Sequence, residues 1–458
     1  MSRSCYLNSG NEPIHVLIVT LGCSKNLVDA ECMTRILLDD QMIMVTSPDE
    51  ADVIVVNTCG FIESAKKEAI DTILEMAEYK TPKGKCSYLI VTGCLAQRYA
   101  EDIRRDLPEV DEVIGTSHYQ DIAKSIRTLY GNYTGPVENL VSAAGGLSHM
   151  RVNRVVSTTY YAWLKIAEGC SNRCAYCAIP MIRGPYISRS MEDLTEDARY
   201  LAESGYSEII LTAQDTTKYG LDLYGKRMLP ELIRLLSAID GIRVIRIMYS
   251  YSDGITDELV HEMKNNPKVA HYLDMPVQHG DDGVLSAMKR RDTAASITAS
   301  IQRLREEIPD IILRTTVLVG FPGETRDAFH NLLEQLKIWQ FDRLGCFVFS
   351  PEEGTDAFEM KGKPAKSVAE KRQKDVMELQ QEISLKHNQA RLHQINSVTL
   401  ESVSDDGIFY MGRSYGEAPE VDPTIYVAAS EDAPEIGKTY EVEFVDCSPY
   451  DITGVIKS

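Results

Sequence analysis

Positive charge is scarce in this sequence: 48 lysines and arginines face 68 aspartates and glutamates, a formal net charge of −20. A nucleic-acid binder needs a cationic face against phosphate, so this balance argues against RNA or DNA as direct substrate and favours a basic protein partner. No uncharged apolar run reaches the length of a membrane span. The opening MSRSCYLNSGNEP lacks the apolar core of a secretory signal. Both absences point to a cytoplasmic protein. Low-complexity tracts and internal repeats are missing too. So is an even cysteine count: there are eleven, at positions 5, 23, 32, 59, 86, 94, 170, 174, 177, 346 and 447. An odd number in a long chain without a signal argues against a disulfide framework and leaves metal binding as the use for thiols that cluster. Cys5, Cys32, Cys86, Cys346 and Cys447 stand alone and read as small apolar residues.

What is present fits a soluble chain of several domains, since 458 residues exceed the size of one hydrophobic core. Residues 14–130 carry three continuous β-branched runs, HVLIVTLGC, ADVIVVNTCGF and SYLIVTGCLAQ, with amphipathic stretches between them. That pattern predicts a doubly wound parallel sheet. Residues 131–156 lose it, gain glycines and read as a linker that crosses a domain surface. Residues 157–388 alternate six candidate strands with helical patterns, which predicts a partial (β/α)6 barrel closed by a long charged helix over 364–390. Residues 389–458 switch to short alternating segments, a small all-β barrel.

The segment EGCSNRCAYCAIP places Cys170, Cys174 and Cys177 in a C-x3-C-x2-C run without a neighbouring histidine. In the first domain, Cys23, Cys59 and Cys94 each end a predicted strand beside a glycine. Parallel sheets gather those ends on one edge, where binding loops lie. Small thiols also end buried strands for packing reasons alone, but here all three runs carry one. Structural zinc closes with four ligands, whereas iron–sulfur clusters are held by thiolates. A cluster with three protein ligands leaves one iron open to a substrate or cofactor.

The cysteine run, with Tyr176 before its last member, resembles that of radical S-adenosylmethionine enzymes. TLGCSKNLVDAE, VNTCGFIESAKKE, VTGCLAQRY and EGCSNRCAYCAIPMIRGPYISR resemble the methylthiotransferases of that superfamily, with a TRAM-like C-terminal domain. LTAQDTTKYG, RLGCFVFSPEEGT and GRSYGEAPEVD resemble the branch acting on ribosomal protein. The resemblance implies two 4Fe-4S clusters, one on Cys23, Cys59 and Cys94 and one on Cys170, Cys174 and Cys177, with S-adenosyl-L-methionine on the second. It implies methylthio transfer to the β-carbon of an aspartate in ribosomal protein uS12, fed by an electron donor such as flavodoxin or ferredoxin. The sulfur donor is not legible. Tyr176, Gln214, Asp215, Gln278 and Gly320 fall at strand ends where the family holds S-adenosylmethionine. His279 is a further candidate contact or a structural histidine, and Arg183 faces a carboxylate, the cofactor or solvent. Residues 389–458 hold 4 basic and 13 acidic side chains, a balance of 4 − 13 = −9, which suits a basic ribosomal protein. Pro423 stands where this branch usually has glycine, which fixes φ in that loop. The competing readings are methylthiolation of a transfer-RNA adenosine, an iron–sulfur electron-transfer or sensing protein, and a zinc-bound regulator.

Overall fold

The computed structural model describes residues 13–131, 140–142, 144–428 and 433–457; Cys5 and linker residues 132–139 and 143 lie outside them. The first domain is a parallel sheet of β1 (His15–Thr20), β2 (Ile43–Met44), β3 (Val53–Thr58), β4 (Tyr88–Gly93) and β5 (Glu112–Ile114), in the order β2-β1-β3-β4-β5. Alternation along β3 decides its two faces. Val53 and Val55 pack on α1 (Ser24–Asp39) through Ala30, Met33 and Leu37. Ile54 and Val56 pack on α2 (Glu63–Ala77) and α3 (Cys94–Asp106) through Ile73, Leu95 and Ile103. Each such aliphatic side chain contributes roughly 1.5–3 kcal/mol on burial, so the sheet is held from both sides, as a doubly wound fold requires.

Two details differ from the sequence pattern. The run SYLIVTGCLAQ is not strand throughout: β4 stops at Gly93 and Cys94 opens α3. Gly93 has φ +96°, and a Cβ there would lie 2.4 Å from the Thr58 carbonyl oxygen. β2 and β5, of two and three residues, are too short to show a period.

In the second domain the six expected strands are β6 (Tyr161–Lys165), then, after the short antiparallel pair β7 (Ala167–Glu168) and β8 (Ile187–Ser188), β9 (Glu208–Thr212), β10 (Val244–Ile247), β11 (Val269–Asp274), β12 (Ile312–Val319) and β13 (Arg343–Val348). They pair in parallel in the order β13-β12-β11-β10-β9-β6. Leu164, Ile209, Leu211 and Leu273 face the outer helices. Trp163, Ile210 and Tyr272 point inward, where they meet Val28 and Cys32 of α1 and Ala418 of the C-terminal domain. The barrel interior is therefore filled from two other domains. The helix Lys366–Ala390 leads into a closed barrel of β14 (Ile395–Val403), β15 (Phe409–Arg413), β16 (Ile425–Ala428), β17 (Thr439–Cys447) and β18 (Ile452–Ile456).

In its described part the linker is a buried strap. His149 bonds Asp29 at 2.9 Å, and Arg154 joins Glu31 of α1 at 3.0 Å to Asp197 of the barrel domain at 2.5 Å. Much of the loop of GRSYGEAPEVD is internal too, with Glu420 and Val421 exposed at its tip. Glu417 pairs with Arg391 at 2.6 Å, and Asp422 accepts from the Tyr272 hydroxyl at 2.6 Å. Pro423 follows an aspartate already fixed inside the protein.

Burial opposes the charge on Glu417, but Arg391 and Arg343 outweigh it and hold its carboxyl down to about 2. A depressed folded value stabilises above the unfolded value of about 4.3 and is lost as pH falls through the folded value, a contribution of about 3 kcal/mol. Glu417→Gln at neutral pH strands two arginines and is expected to cost roughly 3–5 kcal/mol. Hydrogen exchange over 413–422 checks it: protection should fall in the variant, and in wild type only in strong acid.

Candidate functional site

Cys23 caps α1 beyond the end of β1, Cys59 follows β3, and Cys94 begins α3 after β4, so one sheet edge carries all three thiols. Gly22 makes the approach feasible: its φ is +93°, and a Cβ there would sit 2.8 Å from the Cys59 Cβ. Asn26 ties the strand ends together, donating to the carbonyls of Leu21 at 3.0 Å and Thr58 at 2.9 Å. Each thiol feels the others: Cys23 raises Cys59, and both raise Cys94. Burial is the larger cause at Cys94 and pushes it up to about 12. Cys23 is exposed at the edge of the site. Desolvation by the surrounding protein opposes its thiolate, but Lys25 and Arg183 outweigh that and bring it below the ordinary thiol value.

The second set lies in the loop between β7 and the helix Ile179–Arg183. Cys170 and Cys174 are buried and Cys177 half-buried. The loop is pinned by the Cys170 amide donating to Gly184 O at 3.0 Å and the Ala175 amide donating to Met288 O at 2.9 Å. Burial raises Cys170 and Cys177, and the neighbouring Cys174 raises both further. These thiols must lose their protons when a metal binds.

Spacing distinguishes the metals. A single tetrahedral zinc holds thiolates about 3.8 Å apart. Among the described residues only Asp29, His149 and Glu168 bring three ligand atoms within 4.8 Å of one another; neither thiol triad does. The wider spacing suits a polynuclear cluster. The Asp29 group is itself no cation site, because cations already fill it. Asp29 pairs with Lys165 at 2.5 Å and Arg183 at 2.9 Å, and Glu168 pairs with Arg183 at 3.0 Å.

This buried network joins the two thiol sets. Arg183 donates to Asn26 Oδ1 at 2.5 Å and lies 3.7 Å from Cys94 Sγ, while Glu168 accepts from the Gly169 amide, one residue before Cys170. Of the three alternatives for Arg183, the carboxylate pairing is observed. Neither the network nor Asn26 was visible as a site in the sequence. The available signal was Lys165 and Glu168, charges inside an otherwise apolar strand run.

Among the cofactor candidates, Asp215 is buried and committed: it accepts from Asn172 at 2.8 Å and Thr217 at 2.6 Å, which braces the Cys170–Cys177 loop. Gln214 is half-buried next to it. Tyr176 packs edge-on to Phe321 with centroids 6.5 Å apart. Half-buried Gln278 has φ +70° and bridges β12, its amide donating to Thr316 O at 2.9 Å. Gly320 approaches the helix Lys366–Ala390: a Cβ would lie 2.6 Å from the Ala369 Cβ. His279 is fully buried and accepts from the Asp281 amide at 3.0 Å, the pattern of a structural histidine. Tyr251, missed in the sequence, lies 3.6 Å from Cys174 Sγ, with Arg290 stacked on its ring at 4.1 Å.

Residues 15–115 match the family described as uncharacterized protein family UPF0004, residues 164–336 the radical SAM superfamily, and residues 394–456 the TRAM domain. Among solved structures, the radical S-adenosylmethionine methyltransferase TsrM from Kitasatospora setae aligns with a TM-score of 0.58 at 13% identity, over 75% of this chain and 74% of its own. The radical enzyme OxsB aligns with a TM-score of 0.53 at 13% identity, over 80% and 56%. At such identity these show the fold alone. Ribosomal protein uS12 methylthiotransferase RimO of Acetivibrio thermocellus is 48% identical over 96% of this chain and 97% of its own length. The proteins of that name from Lachnoclostridium phytofermentans and Geobacter sulfurreducens are each 46% identical, over 96% and 97% of this chain. With relatives this similar along nearly its whole length, the chain belongs to the family of ribosomal protein uS12 methylthiotransferases, RimO.

Proposed function

We propose that the chain transfers a methylthio group to the β-carbon of an aspartate in ribosomal protein uS12. The carrying observation is two separate triads of thiols, each one short of a closed site, joined through a buried ion-pair network. Cys23, Cys59 and Cys94 would hold one 4Fe-4S cluster and Cys170, Cys174 and Cys177 the other, with S-adenosyl-L-methionine at the barrel. When bound, these groups would supply a hydrogen-abstracting radical at the barrel and a place to hold the methylthio group at the sheet edge. The protein's part is position. Asp215 and Asn172 brace the barrel loop, Asn26 and Arg183 fix the sheet edge, and α1 seals the barrel interior with Val28 and Cys32. Tyr176, Gln214, Gln278 and Gly320 stand where they would line the S-adenosylmethionine site.

The domain limits are taken as 14–130, 157–388 and 389–458, with 131–156 between; each family match falls inside one of them. The C-terminal domain buries two of its four cations, Arg391 and Arg413, in internal pairs. Its surface is left to the carboxylates with only Lys438 and Lys457 exposed, a surface that repels RNA and attracts a basic protein. An electron donor such as flavodoxin or ferredoxin would serve the barrel cluster. Among the described residues, no helix is long and apolar enough to cross a membrane, which suits work in the cytoplasm.

Anaerobically reconstituted protein, given S-adenosylmethionine, a reductant and uS12, is expected to place the methylthio group on an aspartate. Tandem mass spectrometry reads the position. Modification of transfer RNA in its place moves the chain to the other branch, and the absence of 5′-deoxyadenosine favours a sensing protein.

A further inference from the structure

Lys25 stands apart from every other buried cation. Arg154, Lys165, Arg183, Arg189, Arg246, Arg290, Arg343, Arg372, Arg391 and Arg413 each have a carboxylate oxygen within 4.0 Å. Lys25 is 4% exposed and, among the described residues, pairs with no carboxylate. Its ammonium lies 3.1 Å above the centroid of the Tyr249 ring. An aromatic face offsets about 2 kcal/mol or more of the several kcal/mol that desolvating a cation costs. The anion that acts on it most strongly is the Cys23 thiolate two residues away; beyond that thiolate, the ammonium is left for an anion that arrives from outside.

Its surroundings are built for display. Tyr249 follows β10 at the barrel mouth in a left-handed conformation, φ +58°, which is costly for a side chain of its size. That backbone is held by its amide donating to Asp274 Oδ2 at 3.1 Å, and Arg314 occupies the other Asp274 oxygen at 2.9 Å. Asp274 is thereby engaged by Tyr249 and Arg314, and acts on Lys25 only at a distance, without an ion pair. Lys25 lies two residues from Cys23 of one thiol triad, and Tyr249 lies two residues from Tyr251, which touches Cys174 of the other. The ammonium and the ring it faces are thus tied along the chain to one triad each.

Resting on the function proposed above, we infer that Lys25 is the specificity-determining residue that binds the side-chain carboxylate of the target aspartate. An aspartate anchored there presents its β-carbon, one bond from the carboxylate, between the barrel and the sheet edge. An asparagine in its place carries no charge and leaves the ammonium unpaired.

The test uses the reconstituted full chain and two basic peptides from the ribosomal protein, one with the target aspartate and one with asparagine there. Wild type is expected to bind the aspartate peptide about 10- to 100-fold more tightly. Lys25→Met should lose most of that preference, and Lys25→Arg should recover part of it. Iron content should stay as in wild type. Equal affinity of wild type for both peptides overturns the assignment without recourse to any variant. So does a Lys25→Met protein that keeps the preference while its cluster spectrum or potential shifts, since Lys25 would then serve the cluster alone. Retained discrimination without methylthio transfer sinks the proposed reaction but leaves this anion site standing.

Discussion

Replacing Cys23, Cys59 and Cys94 together by alanine should leave a protein with about four irons where wild type holds about eight, still able to cleave S-adenosylmethionine but unable to transfer a methylthio group. The complementary replacement of Cys170, Cys174 and Cys177 should also halve the iron, and it should abolish 5′-deoxyadenosine formation. Iron analysis and chromatography of the nucleoside check both arms. The asymmetry follows from the two environments. Cys23 and its partners lie on the sheet edge beside Arg183 and Lys25. Cys174 lies beneath Tyr251 at the mouth of the barrel whose strand ends carry the S-adenosylmethionine candidates. A wild-type protein with only about four irons ends the two-cluster reading.

Each triad tests the other for collateral damage. Arg183 reaches Cys94 at 3.7 Å and Glu168 at 3.0 Å, so emptying the sheet-edge site removes a thiolate from the field of a cation that also orders the chain entering the barrel loop. The sheet-edge variant should therefore cleave S-adenosylmethionine somewhat more slowly than wild type, since Cys94 also packs against Ala178 and Ile182 just after the barrel cysteines. Complete loss of cleavage would mean that the barrel loop depends on the sheet-edge cluster for its structure.

The elements that announced themselves in the sequence are those whose signal is local. The run Cys170–Cys174–Cys177 is defined by spacing alone. Cys23, Cys59 and Cys94 were found because three β-branched runs end in thiols and parallel strands share an edge. The six barrel strands were legible for the same reason. What stayed hidden depends on contacts between distant segments. Asn26 and Arg183 are 157 residues apart, and Asp29 and His149 are 120 apart; nothing in either neighbourhood names the other. The stretch 131–156 read as a linker because it lacks a period, yet His149 and Arg154 act as buried clasps. The acidic stretch 389–458, which contains GRSYGEAPEVD, suggested a surface suited to a basic partner. Glu417 and Asp422 turn out to satisfy arginines and a tyrosine inside the protein, while Asp405 and Asp406 are among the carboxylates left exposed.

Asp29→Ala should loosen the docking of the first domain on the barrel more than any surface change on the same helix. Asp29 is fully buried and accepts from His149, Lys165 and Arg183, which belong to the strap, to β6 and to the helix after the cysteine loop. Burial opposes its charge, but Lys165, Arg183 and His149 outweigh that and hold its carboxyl well below the usual range. Such a group stabilises above the unfolded value of about 3.9 and loses its contribution only as pH falls toward the folded one. Alanine leaves Lys165 and Arg183 with Glu168 alone, an uncompensated buried charge that costs roughly 3–5 kcal/mol. Amide protection over Ser24–Asp39 should then fall by about two to four orders of magnitude. The control is Asp39→Ala, which removes an exposed partner 2.8 Å from Arg35 on the same helix. An exposed pair of that kind is worth roughly 0.3–0.5 kcal/mol. Equal effects from the two variants would mean that the buried network does not hold the domains together; a large gap would place the mechanical link between the thiol triads at Asp29.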